Sequence, residues 1–193
     1  MRTMPVLATE RLAIRPFVMD DLEAVHRLYV DIGWVDAEAT PEEQLAVRRE
    51  YVQWSALNHV QLARLSQPPY GDRAVVHKDT GHLIGMCGLV PYIESFGQLP
   101  YFGGVRDGLA TAEMGIMWAI APAYQRQGYA TETARALADY AFNELRLKHI
   151  IATTSYDNVA SQGVMWKIGM LIEKNPYPDP PWLQVVGILE NNS

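Results

Sequence analysis

Hydrophobic and polar residues alternate near the start of the chain and then change to a helical spacing. Leu12 and Ile14 alternate with charged and small residues, which predicts a short strand that ends before Pro16. A helix is predicted to begin at Asp20, because Glu23 follows it three residues later, as in a capping box. The predicted apolar face of this helix consists of Leu22, Val25 and Tyr29.

The second predicted helix has a clearer start. Thr40 stands at the cap, Pro41 at the first helical position, and Glu43 at the acidic position of a capping box. These three signals together predict a helix that begins at Pro41. The apolar residues that follow at helical spacing are Val47, Tyr51 and Trp54.

The middle of the chain has the pattern of a hairpin and a long connection. Residues 66–71 break the helix, and the apolar runs 74–77 and 83–90 are joined by a turn at 78–81. Residues 91–111 are irregular and contain several glycine and aromatic residues. Two interpretations of this segment stay open: a functional or mobile loop, or a hairpin extension whose aromatic residues pack on their own scaffold.

The last part of the chain alternates strands with helices. Residues 112–120 form an apolar run that predicts a strand, and residues 134–145 carry an apolar stripe at helical spacing. Asp157 or Asn158 caps a further predicted helix, which Gly169 ends. The remaining strands are predicted at 150–155, 171–174 and 183–189.

The predicted order of elements is β-α-α-β-β-β-α-β-α-β-β. Because helices mix with neighbouring antiparallel strands, the predicted class is α+β, or mixed α/β, around one sheet. The length of 193 residues and the lack of a repeat or linker predict a single domain over residues 1–193.

Composition excludes some classes of function. The net charge of −6 argues against a nucleic-acid partner. No apolar run reaches the roughly 18 residues of a membrane span, and no signal peptide is visible, so the expected location is the cytoplasm. Cys87 lies in an apolar run and is predicted to be a buried hydrophobic residue. The histidines show no metal-ligand spacing, so no metal is expected.

The segment from Tyr124 to Glu132 carries the strongest chemical signal. It connects a predicted strand to a predicted helix, and Gly128 and Ala130 allow a ligand to approach the backbone closely. Free N–H groups and the helix dipole favour an anion at such a helix start. Neither a P-loop nor a dinucleotide-binding motif is present. Glu132, in the first helical turn, is expected to interact favourably with the dipole.

Gln125, Gly128 and Ala130 match the pattern [RQ]-x-x-G-x-[GA], which resembles the cofactor loop of the GNAT N-acetyltransferases. Other segments, in the family's order, resemble the RimJ/RimL-like branch, which includes ribosomal-protein N-terminal acetyltransferases. These segments are 9–17, 112–116, 124–132, 158–161 and 167–170. Several motifs in the correct order are far more specific than one.

The resemblance implies a mostly antiparallel sheet of about seven strands, splayed between the fourth and fifth, with about four helices. It also implies an acetyl-CoA-dependent N-acetyltransferase that transfers acetyl directly to a primary amine, either a protein N-terminus or a small amine. The expected partner of such an enzyme is its amine acceptor. Whether the chain forms a homodimer is left open. The implied cofactor-binding residues are Trp118, Ala119, Ile120, Gln125, Arg126, Gln127, Gly128, Tyr129, Ala130, Thr131, Asn158 and Ser161.

Three positions decide how far the resemblance extends to catalysis. Glu113 is the candidate general base, acting through water, and the alternative is a structural glutamate that is edge-facing or salt-bridged. Arg126 stands where this branch often has glycine. If the backbone there needs a positive φ, the arginine is strained. If it does not, the arginine either provides a charge suited to phosphate or is a solvated surface residue. Met165 stands where many relatives have a tyrosine that acts as general acid and protonates the leaving thiolate. A catalytically silent acyl-CoA-binding or protein-interaction module is therefore the alternative function.

Overall fold

A computed structural model describes residues 4–106 and 109–192. The strands are β1 Leu7–Ala8, β2 Leu12–Arg15, β3 Gly71–His77, β4 Leu83–Glu94, β5 Thr111–Ile120, β6 His149–Thr154, β7 Leu171–Lys174 and β8 Val185–Glu190. The helices are α1 Leu22–Asp31, α2 Pro41–Arg64, α3 Tyr129–Asn143 and α4 Val159–Lys167. Apart from β1, the predicted order of elements is confirmed. The sequence pattern missed β1, because two residues are too few to show a period.

The strands form one sheet of eight, in the order β1-β2-β3-β4-β5-β6-β8-β7. Antiparallel pairs join β1 to β2, β2 to β3, β6 to β8, and β7 to β8. Strands β5 and β6 are parallel, with Gly115 opposite Ile151. In contrast, β6 pairs with β8 along its whole length, from His149 to Thr154. The predicted mixed α/β class is confirmed, and β5 and β6 are the strands between which the splay was predicted.

Contacts divide the chain into two compact units. The first contains Met1–Gly88 and Trp118–Ala136, and the second contains Leu89–Met117 and Leu137–Ser193. Strands β4 and β5 and helix α3 each contribute residues to both units. The single domain over residues 1–193 stays a prediction.

In the first unit, the start of α2 is confirmed in detail. The Thr40 hydroxyl accepts from the Glu43 N–H at 3.3 Å, and the Glu43 carboxylate accepts from the Thr40 N–H at 2.8 Å. The predicted apolar face of α2 is wrong in part, since Val47 and Trp54 are 59% and 65% exposed. The buried positions of α2 include polar residues, so hydrophobicity alone does not reveal the packed face.

The start of α1 also differs from the prediction. A 3₁₀ turn, Met19–Asp21, precedes α1, and Asp21 rather than Asp20 is the cap residue. The Asp21 carboxylate accepts two hydrogen bonds from Arg15, each 2.7 Å long, and one from the Val18 N–H at 2.9 Å. The carboxylate therefore joins the end of β2 to the start of α1, a contact that sequence spacing does not reveal.

In the second unit, the long connection after β4 packs as part of the core. Strand β4 extends to Glu94, and 3₁₀ turns follow at Phe96–Gln98 and Pro100–Phe102. Phe96 and Leu99 are fully buried with residues of β6 and β8. For the described part of this segment, the scaffold interpretation is therefore correct; residues 107 and 108 lie outside the described residues.

Candidate active site

In the first unit, the loop between β5 and α3 is braced by its own glutamines. The side-chain amide of Gln125 donates to the Ile120 carbonyl at 2.9 Å, and that of Gln127 donates to the Ala123 carbonyl at 3.1 Å. These bonds connect the loop to the end of β5 and to the turn that follows it. Both side chains are therefore engaged with the backbone, and ligand contacts of this loop depend mainly on its N–H groups.

Those N–H groups are unpaired at the start of α3. In the described part of the chain, the amides of residues 127–131 have no hydrogen-bond acceptor, and the first helical bond runs from Glu132 N–H to the Gly128 carbonyl at 3.0 Å. Gly128 has φ of +87° and Arg126 has φ of +60°. An L-residue is strained in that region, so the first of the three alternatives for Arg126 describes its backbone. The loop presents a row of donors to an anion.

A cluster that sequence analysis missed holds this loop against the segment between β1 and β2. One Glu132 oxygen accepts from the Thr9 hydroxyl at 2.5 Å and the Arg11 N–H at 2.9 Å. The other accepts from Arg11 Nε at 2.7 Å and pairs with Nη2 at 2.6 Å, while Nη1 donates to the Gln127 carbonyl at 3.0 Å. We call Thr9, Arg11 and Glu132 the loop clasp. Its members lie within two of the five segments that carry the family resemblance, 9–17 and 124–132.

Charge and aromatic contacts complete the loop clasp. Desolvation raises the pKa of Glu132, but hydrogen bonds from Thr9 and Arg11 outweigh it, so the pKa is lowered overall. The Arg11 guanidinium lies 4.3 Å from the centroid of the buried Tyr129 ring, and His77 contacts the same ring edge-on at 5.5 Å. The Tyr129 side chain is therefore structural, and only its N–H is open to a ligand.

The end of β5 supplies the other predicted cofactor residues of the first unit. Ala119 and Ile120 are buried, and Trp118 is half-buried. A Cβ atom at Gly85 of β4 would lie 2.3 Å from the Ala119 carbonyl oxygen, so only glycine permits this approach of the two backbones. The backbone at this end of β5 is thereby held in a defined position.

In the second unit, Glu113 is paired with a histidine of the neighbouring strand. His149 Nε2 lies 2.5 Å from Glu113 Oε2, with the two side chains 20% and 10% exposed. His149 Nδ1 is buried without a partner. An Nε2–H tautomer that donates to the carboxylate fits this environment, because it leaves no N–H unpaired. Among the described residues nothing donates to Glu113 Oε1, so that oxygen is available to water or an amine.

Two aromatic rings lie beside the histidine of this pair. The rings of Tyr101 and Phe102 lie 6.0 and 5.7 Å from the His149 ring. The Tyr101 hydroxyl donates to Glu190 at 2.6 Å, and this bond to a carboxylate raises the pKa of Tyr101 to about 12. The hydroxyl is therefore a poor acid at neutral pH, and its contribution is to hold the ring against His149.

The remaining predicted residues of the second unit lie at the start of α4. Asn158 accepts from the Ser161 N–H at 3.0 Å, so the predicted cap is confirmed. Met165 is fully buried, and the Tyr156 hydroxyl donates to the Asn175 carbonyl at 3.0 Å. The buried Met165 side chain cannot donate a proton, and the Tyr156 hydroxyl is engaged with the backbone.

The structure also bears on other groups considered from sequence. Cys87 is fully buried, as predicted, and burial raises the pKa of its thiol. Within residues 4–106 and 109–192, no cluster of three or more acidic, histidine or cysteine side chains has the geometry to hold a metal ion. The same residues include no helix that is both long and apolar enough to cross a membrane.

Comparison with known proteins agrees with this arrangement. The profile of the acetyltransferase (GNAT) domain matches residues 11–171. The chain belongs to the GNAT acetyltransferase family. It is 30% identical over 168 residues to the uncharacterized N-acetyltransferase YnaD of Bacillus subtilis (strain 168), covering 85% of this chain and 81% of that protein. Family and relatives together identify the GNAT chain as an N-acetyltransferase.

Solved structures share the fold over almost the whole chain. A GNAT-family acetyltransferase from Bacillus anthracis superposes with a TM-score of 0.67 at 25% identity, covering 98% of this chain and 100% of that chain. A putative ribosomal-protein-serine acetyltransferase from Vibrio cholerae has a TM-score of 0.69 at 21% identity, covering 98% and 99%. These neighbours show that the chain has the GNAT fold.

Proposed function

We propose that this GNAT enzyme uses acetyl-CoA to acetylate a primary amine by direct transfer. The observation that carries the proposal is the row of unpaired N–H groups at residues 127–131, beside the positive φ of Gly128. Such a row suits the pyrophosphate of the cofactor. The backbone of residues 118–120 would bind the amides of the pantetheine arm as a neighbouring strand does. Asn158 and Ser161 would contact the cofactor arm.

In this proposal, Glu113 is the general base. A primary alkyl amine is protonated at pH 7 and must lose a proton before or during attack. The free Oε1 of Glu113 accepts this proton, directly or through water, while His149 holds Oε2 at 2.5 Å. The amine nitrogen bonds to the thioester carbonyl carbon, the C–S bond then breaks, and the nitrogen releases its second proton to solvent as the amide forms. The thiolate leaves without a tyrosine acid, because a thiol pKa of about 8.5 makes it a competent leaving group.

Calorimetric titration with acetyl-CoA tests the cofactor site. We expect micromolar binding by the wild type and its loss in Gly128→Glu, whose carboxylate repels the pyrophosphate. Gly33→Glu is the matched control, because Gly33 also has positive φ, with open space around it. That control carries the same charge and the same backbone strain, and should bind normally. A folded wild type that binds no acetyl-CoA would sink the proposal.

The alternative function is a catalytically silent acyl-CoA-binding or protein-interaction module. The buried Met165 and the strained Arg126 favour it. Glu113→Gln separates the two functions, because loss of a true base lowers turnover about 100-fold or more while acetyl-CoA binding is kept. Unchanged turnover would remove Glu113 from the mechanism. Binding of acetyl-CoA without transfer to any amine would favour the silent module.

The acceptor is proposed to be a protein N-terminus or a small amine. The ribosomal-protein-serine acetyltransferase among the structural neighbours supports the first class by analogy. A screen that pairs N-terminal peptides with small amines would rank the two. The cytoplasmic location, the homodimer and the absence of a nucleic-acid partner stay predictions.

A further inference from the structure

One stripe of exposed residues runs along helix α2 in the first unit. Its members follow one another at alternating steps of three and four positions: Val47, Glu50, Trp54, Leu57, Gln61 and Arg64. All of them are exposed, and the apolar members Val47, Trp54 and Leu57 are 59%, 65% and 49% exposed. Such steps repeat every seven residues, as they do where two helices pack together in a coiled coil. We call this stripe the α2 seam.

The two flanks of the α2 seam differ. On one side, the side chains of Tyr51 and Asn58 form hydrogen bonds within the first unit. On the other side, Ala46, Gln53 and Val60 are exposed and carry no charge. A second helix can therefore lie on the seam and on this uncharged flank. Neighbouring apolar side chains that stay exposed, with polar residues around them, mark an interaction surface.

The charges of the α2 seam select the orientation of a helix with the same sequence. In a parallel pair in register, Glu50 would face Glu50 of the second copy and Arg64 would face Arg64, so like charges would meet. In an antiparallel pair, the acidic half of each seam faces the basic half of the other, and the helix dipoles are opposed. The seam is thus complementary to itself in the antiparallel orientation, as a twofold symmetric interface requires.

An antiparallel pair centred between Trp54 and Leu57 also matches the apolar residues. Trp54 then packs on Leu57 of the second copy, and symmetry repeats this contact. Val47 faces Arg64 of the second copy, whose aliphatic stem covers it. The guanidinium extends past Val47 toward Glu50, which lies about 5 Å further along the helix axis. Each apolar member of the seam is thereby covered, and each charged member meets its opposite.

We propose that the α2 seam binds a second copy of this chain, in an antiparallel pair of α2 helices. The paired region extends from Val47 to Arg64, which is about 26 Å of helix. Trp54 is the central aromatic anchor, and the contact between Glu50 and Arg64 sets the orientation. The inference is independent of the proposed function, because the seam contains none of the residues proposed to bind the cofactor or to act on the amine.

Sedimentation velocity of the full chain tests the proposal. We expect a reversible monomer–dimer equilibrium between about 1 µM and about 200 µM. Trp54→Ala should raise the dimer Kd at least about tenfold, because it removes the central contact from both helices. Trp166→Ala is the control and should leave the Kd unchanged, since Trp166 lies in α4 and is 75% exposed. A chain that stays monomeric at the highest concentration, or an equal Kd in Trp54→Ala and the wild type, would overturn the proposal.

Exchange of charges tests the orientation. Glu50→Arg and Arg64→Glu, each alone, bring like charges together at two symmetry-related contacts. Each should therefore weaken the dimer about tenfold at low ionic strength, where charges are least screened. An equal mixture of the two variants should form a heterodimer with about the wild-type affinity, because each variant then supplies the charge that the other lacks. Circular dichroism checks that each variant folds. A mixture that associates no more strongly than its components would overturn the antiparallel pairing and with it the proposal.

Discussion

Substitution of Glu132 by glutamine should destabilise the fold and loosen the loop between β5 and α3. The Glu132 carboxylate accepts four donors of the loop clasp, from the Thr9 hydroxyl, the Arg11 N–H, and the Arg11 Nε and Nη2 atoms. In Glu132→Gln one oxygen becomes an NH₂ group. If the remaining oxygen keeps Thr9 and the Arg11 N–H, this new donor faces the donors of the guanidinium. The bidentate ion pair is then lost.

The magnitude follows from burial. Hydrogen bonds to charged groups contribute about 1.5–3 kcal/mol each when buried. The Arg11 and Glu132 side chains are 37% and 17% exposed, so water can replace part of the lost ion pair. The free energy lost is therefore much smaller than for a fully buried pair. We expect a loss of about 2 kcal/mol for the two bonds together. For a chain of this length, that lowers the melting temperature by roughly 4–8 °C.

Urea denaturation at pH 7 measures the loss, with Glu23→Gln as the control. Glu23 is an exposed acid in the first turn of α1, so this variant has the same charge change and a similar dipole term. We expect the control to lose less than about 0.5 kcal/mol. Equal losses in the two variants would show that Glu132 acts only through the helix dipole, and would refute the importance of the loop clasp.

The pH dependence gives a second check. The folded-state pKa of Glu132 is lowered from its ordinary value of 4.5. The ionised carboxylate therefore contributes its full stability above that value and loses it as the pH falls through the folded-state pKa. The difference in unfolding free energy between wild type and Glu132→Gln should be constant from pH 8 to about pH 5 and shrink below it. A difference that grows at low pH would contradict the assigned direction.

Three further substitutions test other parts of the structure. Arg126→Gly should raise the unfolding free energy by about 0.5–1 kcal/mol in urea denaturation, because relief of the strain at φ +60° exceeds the added freedom of the unfolded chain; a destabilised variant would contradict this. Thr40→Ala should lower the unfolding free energy by about 1 kcal/mol through loss of the capping box with Glu43, and no change would show that the α2 start is held by packing alone. His149→Phe should lower kcat about tenfold and alter the pH profile of kcat/KM, whereas His149→Gln, which keeps an N–H donor for Glu113, should recover much of the rate; identical profiles would leave His149 a purely structural residue.

Local signals in the sequence were sufficient where they act over a few residues. The capping box at Thr40, the glycine-ended helix after Asn158 and the hairpin turn at residues 78–81 were confirmed as predicted. The strand, loop and helix from β5 to α3 were also predicted, because an apolar run, Gly128 and a helical stripe follow one another directly. In each case the stabilising contacts join residues that are close in the chain, so spacing alone reveals them.

Contacts between distant segments were decided only by the tertiary structure. The loop clasp joins Arg11 to Glu132, and the parallel register at Gly115 and Ile151 places His149 beside Glu113. The packed face of α2 was also hidden, because Arg48 is buried against tyrosine rings and Val47 is exposed. Periodicity records the hydrophobicity of single residues, whereas burial of a charge depends on partners brought from elsewhere in the chain. The sequence by itself thus predicted the family and the loop between β5 and α3, and the tertiary structure decided which distant residues hold that loop and which residue pairs with Glu113.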